Sequence, residues 1–240
     1  MTTGTGSAIT IAEADPDAAL HALLSWTSPA YPVGGFSYSH GLEAAVEDGT
    51  VRDRDGLVRY VRAVLRFGAG AVDGPILAAA WRAARAGDDA ALDAAAELAS
   101  AWRGTAETAL ESMQQGESFA AVTQSSWPDA GDAAFAARHP RRLAHAVAFG
   151  AAAGFRGLPL RGSCLAFLSG FAANLVSAGI RAVPLGQTDG QVATVALRPN
   201  LIAATERAME TTVADIGTAA PMLDLLSMRH ETQYTRLFRS

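Results

Sequence analysis

The stretch SCLAFLSGFAANLVSAGI, residues 163–180, decides the fold class because it is long and predominantly apolar, so it belongs either in a membrane or in the core of a helical bundle. It carries no charged residue and is flanked by Arg161 and Arg181. It barely reaches the roughly 20 apolar residues that a membrane-spanning helix needs. It also contains Ser169 and Asn174, whose polar side chains are poor choices for lipid contact. We predict the central buried helix of a soluble bundle, with a membrane-associated helical protein as the alternative.

The composition predicts an all-α, single-domain helical bundle. Half of the 240 residues are hydrophobic and only 18% are charged, so a sizeable core is available. Alanine, the best helix former, supplies much of this apolar content, as at residues 78–80, 94–96 and 151–153. We expect eight to ten closely packed helices. The net charge of −5 argues against nucleic-acid binding, which needs a basic face.

Turn and capping residues divide the chain into elements. Asp15-Pro16 predicts a helix start, and residues 1–14 are interpreted as a mobile lead-in to one domain over residues 15–240. Asp73-Gly74-Pro75 is interpreted as the start of another helix. We expect further helices over 42–47, from Asp53 or Asp55 onward, 88–115 with a break near Gly104, 140–155, 163–178, 200–212 and 221–230, a loop over 125–131, and an uncertain short strand over 192–197.

The sequence offers few groups for catalysis or metal binding. It has no glycine-rich phosphate loop and no paired-cysteine metal motif, and its five histidines are scattered. The single cysteine, Cys164, lies in an apolar run and is interpreted as a buried, inert thiol. We therefore expect no cofactor and no metal site. The N-terminus lacks the pattern of a signal peptide, which favours a cytoplasmic location.

The C-terminal stretch MRHETQYTRLFRS, residues 228–240, mixes cations with aromatic and aliphatic side chains. Arg, Tyr and Phe supply much of the binding energy in interfaces, so this composition is typical of a docking segment. The alternative is a frayed helix end whose Leu237 and Phe238 fold back on the core. His230 beside Glu231 is either an acid–base pair or a cation at a helix C-terminus.

Two other segments are unusual for connections between helices. In SPAYPVGGFSYSHGLE, residues 28–43, aromatic residues follow a Gly-Gly hinge, which indicates either a binding loop or a buried connection. In RAVPLGQTDGQ, residues 181–191, Asp189 and the two glutamines either cap the following helix or contact a partner. An enzyme that uses His40 and Glu43 as an acid–base pair is the alternative function.

At these same residues the sequence resembles the UreF family of urease accessory proteins. Three landmarks carry the resemblance: SPAYPVGGFSYSHGLE at 28–43, VPLGQTDGQ at 183–191 and HETQYTRLFRS at 230–240. The resemblance covers nearly everything after residue 15. The chain departs from the family pattern at one position. The family often has the order Glu-x-Arg here; Glu107 matches the glutamate, but Ala109 stands at the position of the arginine.

The resemblance implies an all-α, dimeric, non-enzymatic protein that acts in the maturation of nickel urease. Such proteins bridge UreD, also called UreH, to the GTPase UreG, and the assembly then meets apo-urease. The resemblance carries two groups of partner-binding residues onto this chain. One is a loop-and-helix surface implicated in GTPase contact, and the other is the C-terminal segment that engages UreD. In order along the chain they are Phe36, Ser37, Tyr38, His40 and Glu43, then Tyr234, Arg236, Leu237, Phe238 and Arg239.

Overall fold

A computed structural model describes residues 13–240 and shows an all-α single domain, which confirms the predicted fold class. The described part contains eleven α-helices, one more than the upper end of the expected range, and no strand. Two single 3₁₀ turns, Gly35–Ser37 and Val213–Asp215, complete it. The helices are α1 (Pro16–Trp26), α2 (Leu42–Glu47), α3 (Arg54–Phe67), α4 (Ala69–Ala86), α5 (Asp89–Ala101), α6 (Ala106–Ser126), α7 (Ala130–Arg138), α8 (His145–Phe155), α9 (Leu160–Ala182), α10 (Gln187–Glu210) and α11 (Pro221–Glu231).

Several helix ends form where capping residues predict them. The Asp15 carboxylate accepts hydrogen bonds from the backbone N–H groups of Asp17 and Ala18 at 3.0 and 3.1 Å, as an N-cap residue does. Asp53 likewise accepts from the N–H of Gly56 at 2.7 Å. The expected break near Gly104 is the gap between α5 and α6. These local signals are reliable because they satisfy N–H groups that the helix itself cannot pair.

Helix α9 contains the predicted central segment and packs against α10, α1, α2, α3, α4 and α8. It is long and apolar enough to span a membrane, but half of its apolar window is buried inside the bundle. Cys164 of α9 is fully buried, and burial raises the pKa of its thiol to about 12. Both observations agree with the prediction of a core helix and an inert thiol.

Close helix approaches in the core depend on small residues. Helix α8 packs most extensively against α4 and also contacts α6. A Cβ atom at Gly150 would lie 2.4 Å from the Leu77 carbonyl oxygen, and one at Gly116 would lie 1.9 Å from that of Leu143. At these two crossings the backbones touch directly, so glycine sets the spacing between the helices.

The predicted start of α4 at Asp73 is wrong. The helix begins at Ala69, so Pro75 lies inside it, and its missing N–H removes one helical hydrogen bond. Asp73 does not cap a helix; its carboxylate pairs with the guanidinium of Arg103, with the shortest contact at 2.6 Å. A sequence pattern that normally opens a helix is here overridden by an ion pair with a distant residue.

The possible strand at residues 192–197 is also wrong, because the segment belongs to α10. Ala193 and Leu197 are buried and lie four residues apart, which is the spacing of one helix face. The carboxylate of Asp189 accepts from the backbone N–H of Gly186 at 3.2 Å. This confirms the capping interpretation of the segment 181–191.

Other helix boundaries differ by a few residues from the predicted ones. Helix α8 begins at His145 instead of residue 140, because Arg141 has a left-handed backbone (φ 58°) that interrupts a helix. Helix α7 was not predicted, and the expected loop at 125–131 is reduced to residues 127–129. Residues 1–14 are interpreted as a mobile lead-in, but residues 1–12 lie outside the described residues. Ala14 itself is attached to the bundle, because its N–H donates to the Gly157 carbonyl at 3.1 Å.

We predict that Gly116→Ala destabilises the fold by about 2–3 kcal/mol, because the added methyl group forces α6 away from the backbone before α8. The better helix propensity of alanine offsets at most about 1 kcal/mol of this loss. Gly217→Ala is the matched control, since a Cβ there has no atom within 4 Å. Urea unfolding of both variants measures the difference. Equal stability of the two variants would contradict the close contact.

Candidate interaction site

The aromatic loop, residues 27–41 between α1 and α2, is held in a defined shape. Gly34 and Gly41 have left-handed backbones (φ 75° and 76°) that flank the 3₁₀ turn. The Asn174 side chain of α9 donates to the Gly35 carbonyl at 2.7 Å. Phe36 at the turn is 66% exposed, and its ring is covered on one side by the Arg181 guanidinium, 3.6 Å from the ring centroid.

Tyr38 and His40 point inward, in contrast to Phe36. Tyr38 is buried and donates to the Gln114 side chain of α6, and burial raises the pKa of its hydroxyl. His40 faces the buried Glu111 of α6, with 3.1 Å between Nδ1 and Oε2. Burial alone would lower the pKa of His40, but the charge and hydrogen bond of Glu111 outweigh it and raise this pKa. The His40 ring and hydrogen bonds in turn lower the pKa of Glu111 despite its burial.

A second polar group, the anchor cluster, consists of Glu43, Glu107 and His230. The His230 ring is fully buried and lies between the two acids. Its Nε2 is 3.1 Å from Glu43 Oε2, and its Nδ1 is 2.8 Å from Glu107 Oε2. Burial raises the pKa of Glu107, although His230 and Arg236 oppose this. Each ring nitrogen of His230 therefore has a carboxylate oxygen within hydrogen-bonding distance, and no polar atom of the ring is left without a partner.

The anchor cluster binds the backbone of the tail, residues 232–240. Glu43 accepts from the N–H of Leu237 at 2.8 Å and from the N–H of Phe238 at 3.1 Å. Glu107 accepts from the Arg236 guanidinium at 3.0 Å. Both carboxylate oxygens of Glu43 are therefore used inside the fold. Removing one partner from such a buried network lowers the stability of the fold, because the remaining polar groups lose their hydrogen bonds.

The tail also hydrogen-bonds to the aromatic loop. The Arg239 N–H donates to the Ser37 carbonyl at 2.8 Å, and the Ser39 N–H donates to the Ser240 carbonyl at 2.7 Å. Ser240 is fully buried, and its hydroxyl donates to Glu111 at 2.9 Å. The structure thus joins the two segments singled out from the sequence, some 200 residues apart, into one site.

Side chains of the tail divide into exposed and buried groups. Tyr234 is fully exposed, Leu237 is 71% exposed, and Arg236 and Arg239 are also exposed. Phe238 is buried, and Arg181 lies 4.4 Å from its ring centroid. Phe238 therefore folds back on the core, as one of the two interpretations expected, whereas Leu237 does not. Arg181 stacks on both Phe36 and Phe238 and ties the loop to the tail by cation–π contacts.

The supposed acid–base pair of His40 and Glu43 is not formed. His40 bonds Glu111, and Glu43 bonds His230 and the tail. His230 lies in the last turn of α11, as the interpretation as a residue of a helix C-terminus expected. The pair with Glu231 is not formed: His230 is fully buried, whereas Glu231 is exposed. Within residues 13–240 no group of three or more His, Cys, Asp or Glu side chains is arranged to hold a metal ion.

Sequence reasoning missed Glu111, Arg181, Ser39 and Ser240, and it did not find the partners of His230. One signal was available on α6. Glu107, Glu111 and Gln115 recur every four residues and so share one helix face, yet all three are buried. A stripe of large polar residues on one helix face predicts internal pairing, because the two unusual segments of the chain each supply a histidine, His40 and His230.

Fold and site together define an all-α protein in which buried polar groups fix a C-terminal segment on the bundle. The sequence profile of the UreF family matches residues 51–198, more than half of the chain. The chain therefore belongs to the UreF family of urease accessory proteins, as the resemblance implied.

Full-length relatives agree with this assignment. The urease accessory protein UreF of Granulibacter bethesdensis is 60% identical over 224 residues, which cover 93% of this chain and 95% of the relative. The UreF protein of Rhodopseudomonas palustris (strain BisB5) is 48% identical, over 95% of this chain and 93% of the relative. That of Bradyrhizobium diazoefficiens is 44% identical, over 93% and 92%. These alignments cover nearly all of this chain.

We predict that His40 stabilises the fold most at low pH. Its pKa is raised above the ordinary value of 6.5, so its contribution is full below 6.5 and is lost as the pH rises through the raised value. His40→Asn removes the titration but tolerates the left-handed backbone at this position (φ 56°). The stability advantage of the unsubstituted protein over His40→Asn should shrink between pH 6 and pH 9.

Urea unfolding at four pH values in this range measures the difference. His21→Asn is the matched control, because His21 is exposed on α1. A constant difference between the unsubstituted protein and His40→Asn across the range would refute the ion pair with Glu111.

Proposed function

We propose that this chain acts in nickel-urease maturation as a non-enzymatic, cytoplasmic homodimer. It bridges UreD (UreH) to the GTPase UreG and modulates GTP-dependent insertion of nickel into apo-urease. Its membership of the UreF family supports the general role. The single observation that supports docking as the mechanism is the exposed surface of Phe36, Tyr234 and Leu237, held on a polar network that is fully used inside the fold.

The proposed partner-binding residues divide into two groups by exposure. Tyr234, Leu237, Arg236, Arg239 and Phe36 are exposed and are proposed to touch partners. Phe36 and Tyr234 offer a large contact area with few rotatable bonds, so they lose little entropy on binding, and Arg236 and Arg239 add charged hydrogen-bond donors. The remaining residues support the surface from beneath: Ser37, Tyr38, His40, Glu43 and Phe238.

Homodimer formation needs a further apolar surface. On α1, Leu20 and Leu24 are 56% and 62% exposed and lie four residues apart on one helix face. Helix α1 packs on α9, where Ala173 is also exposed. Exposed apolar patches of this kind mark interaction surfaces, which supports self-association.

Two point variants test the assignment of the tail to UreD and of the loop to UreG. Deletion of residues 230–240 is a poor test, because it removes the buried His230 and Phe238. Leu237→Asp changes only an exposed side chain and should weaken UreD binding about tenfold or more. Phe36→Ala should leave UreD binding intact and weaken recruitment of UreG to the preformed complex. Calorimetry and co-purification measure both effects.

Val195→Asp on α10 is the matched control, since Val195 is 66% exposed and far along the chain from both segments. Leu237→Asp and Val195→Asp should unfold at the same urea concentration as the unsubstituted protein. Phe36→Ala should unfold at a slightly lower one, because it loses the contact with Arg181. Undiminished UreD binding by Leu237→Asp would reject the tail as the docking surface. Loss of both partners in Phe36→Ala would reject the division of roles between loop and tail.

A further inference from the structure

A cavity of about 410 Å³ lies beneath the aromatic loop, between that loop, α8 and α9. Its size falls within the range of small-molecule sites, about 300–1,000 Å³. Six aromatic rings line it: Trp26, Tyr31, Phe36, Phe149, Phe167 and Phe171. It is distinct from the anchor cluster, none of whose three residues lines it.

Two of the residues that line the cavity carry nitrogen atoms without a hydrogen-bond partner among the described residues. Trp26 is only 2% exposed, and its Nε1 is buried and unpaired. The Nε2 atom of His145 is also buried and unpaired. Buried polar atoms almost always have a partner, and the exceptions call for an explanation. Because indole N–H only donates, its partner must supply an acceptor such as an oxygen.

The cavity wall is uncharged. No Asp, Glu, Lys or Arg is among the described residues that line it. Burial lowers the pKa of His145 to about 4, so its ring is neutral at physiological pH. An ion in this cavity would lose its hydration without gaining a countercharge, which excludes charged ligands.

From this geometry we propose that the cavity is a binding site for small uncharged aromatic molecules that carry a hydroxyl group, of the phenol class. The ring of the ligand packs among the aromatic side chains. Its hydroxyl oxygen accepts from Trp26 Nε1, and its hydroxyl hydrogen is donated to His145 Nε2. This goes beyond the proposed role in urease maturation. Gly34, Gly35 and Phe36 line the cavity, so an occupant contacts the loop whose outer side is proposed to face a partner.

Phenol itself is the probe, and the indole N–H resonance of Trp26 in a ¹⁵N-labelled sample is the readout. Phenol should shift this resonance saturably, with a dissociation constant on the order of 1 mM for a ligand of seven non-hydrogen atoms. Toluene has the same shape without the hydroxyl and should bind about fivefold more weakly. Benzoate and benzylamine are charged and should not shift the resonance at roughly 10 mM, which is about ten times the dissociation constant expected for phenol.

His145→Phe tests the polar contact while it keeps a ring in the wall. Phenol should then bind about fivefold more weakly and toluene equally well. His21→Phe, on the exposed face of α1, is the matched control and should leave both affinities unchanged. The indole signal of Trp26 is assigned by comparison with Trp26→Phe, and thermal melts confirm that each variant is folded.

The ligand selectivity of the unsubstituted protein tests the proposal even if His145→Phe fails to fold. If phenol causes no saturable shift of the Trp26 resonance, the cavity takes only water and the proposal is overturned. Equal binding of phenol and toluene, or binding of benzoate, overturns the assigned ligand class. Unchanged phenol affinity in folded His145→Phe means that the hydroxyl does not bind Nε2 of His145, and this result also overturns the proposal.

Discussion

The hydrogen bonds of the buried Glu43 carboxylate are the interaction on which the site depends. A carboxylate placed inside a protein loses its hydration, so it is tolerated only when every oxygen is paired. Glu43 meets this condition through His230 and two backbone N–H groups of the tail. Since those N–H groups belong to Leu237 and Phe238, the desolvation cost of the acid fixes the position of the tail on the bundle.

This constraint explains why exposed and buried side chains alternate at the end of the chain. With the backbone pinned at 237 and 238, Phe238 enters the core beside Arg181, and Leu237 faces outward. The contacts of Ser39 and Ser240 extend the same attachment to the aromatic loop. The loop and the tail therefore form one preorganised surface, and preorganisation reduces the entropy that docking would cost.

Local signals made the fold predictable from the sequence. Asp15, Asp53 and Asp189 cap helices because their partners are within a few residues, and the alanine-rich helices need no specific long-range contact. Prediction failed where the partner was distant in sequence. The pattern Asp73-Gly74-Pro75 predicts a helix start because the sequence does not show that Asp73 pairs with the distant Arg103. The segment 192–197 is helical because Ala193 and Leu197 are buried against other helices, which its own residues do not show.

The candidate site was half predictable for the same reason. Composition identified the loop and the tail, but it could not show the contact that joins Ser39 to Ser240. Nor could it show that His230 is buried between Glu43 and Glu107. The most direct test of whether Glu43 fixes the tail combines two measurements on Glu43→Ala: amide hydrogen exchange of residues 235–240 and the affinity for UreD. Glu47→Ala is the control, because Glu47 is exposed. If Glu43 fixes the tail, Glu43→Ala loses both the protection of the tail and the affinity, although Glu43 itself is buried, whereas Glu47→Ala loses neither. A tail that stays protected in Glu43→Ala, or one that is released while UreD binding is unchanged, would contradict it.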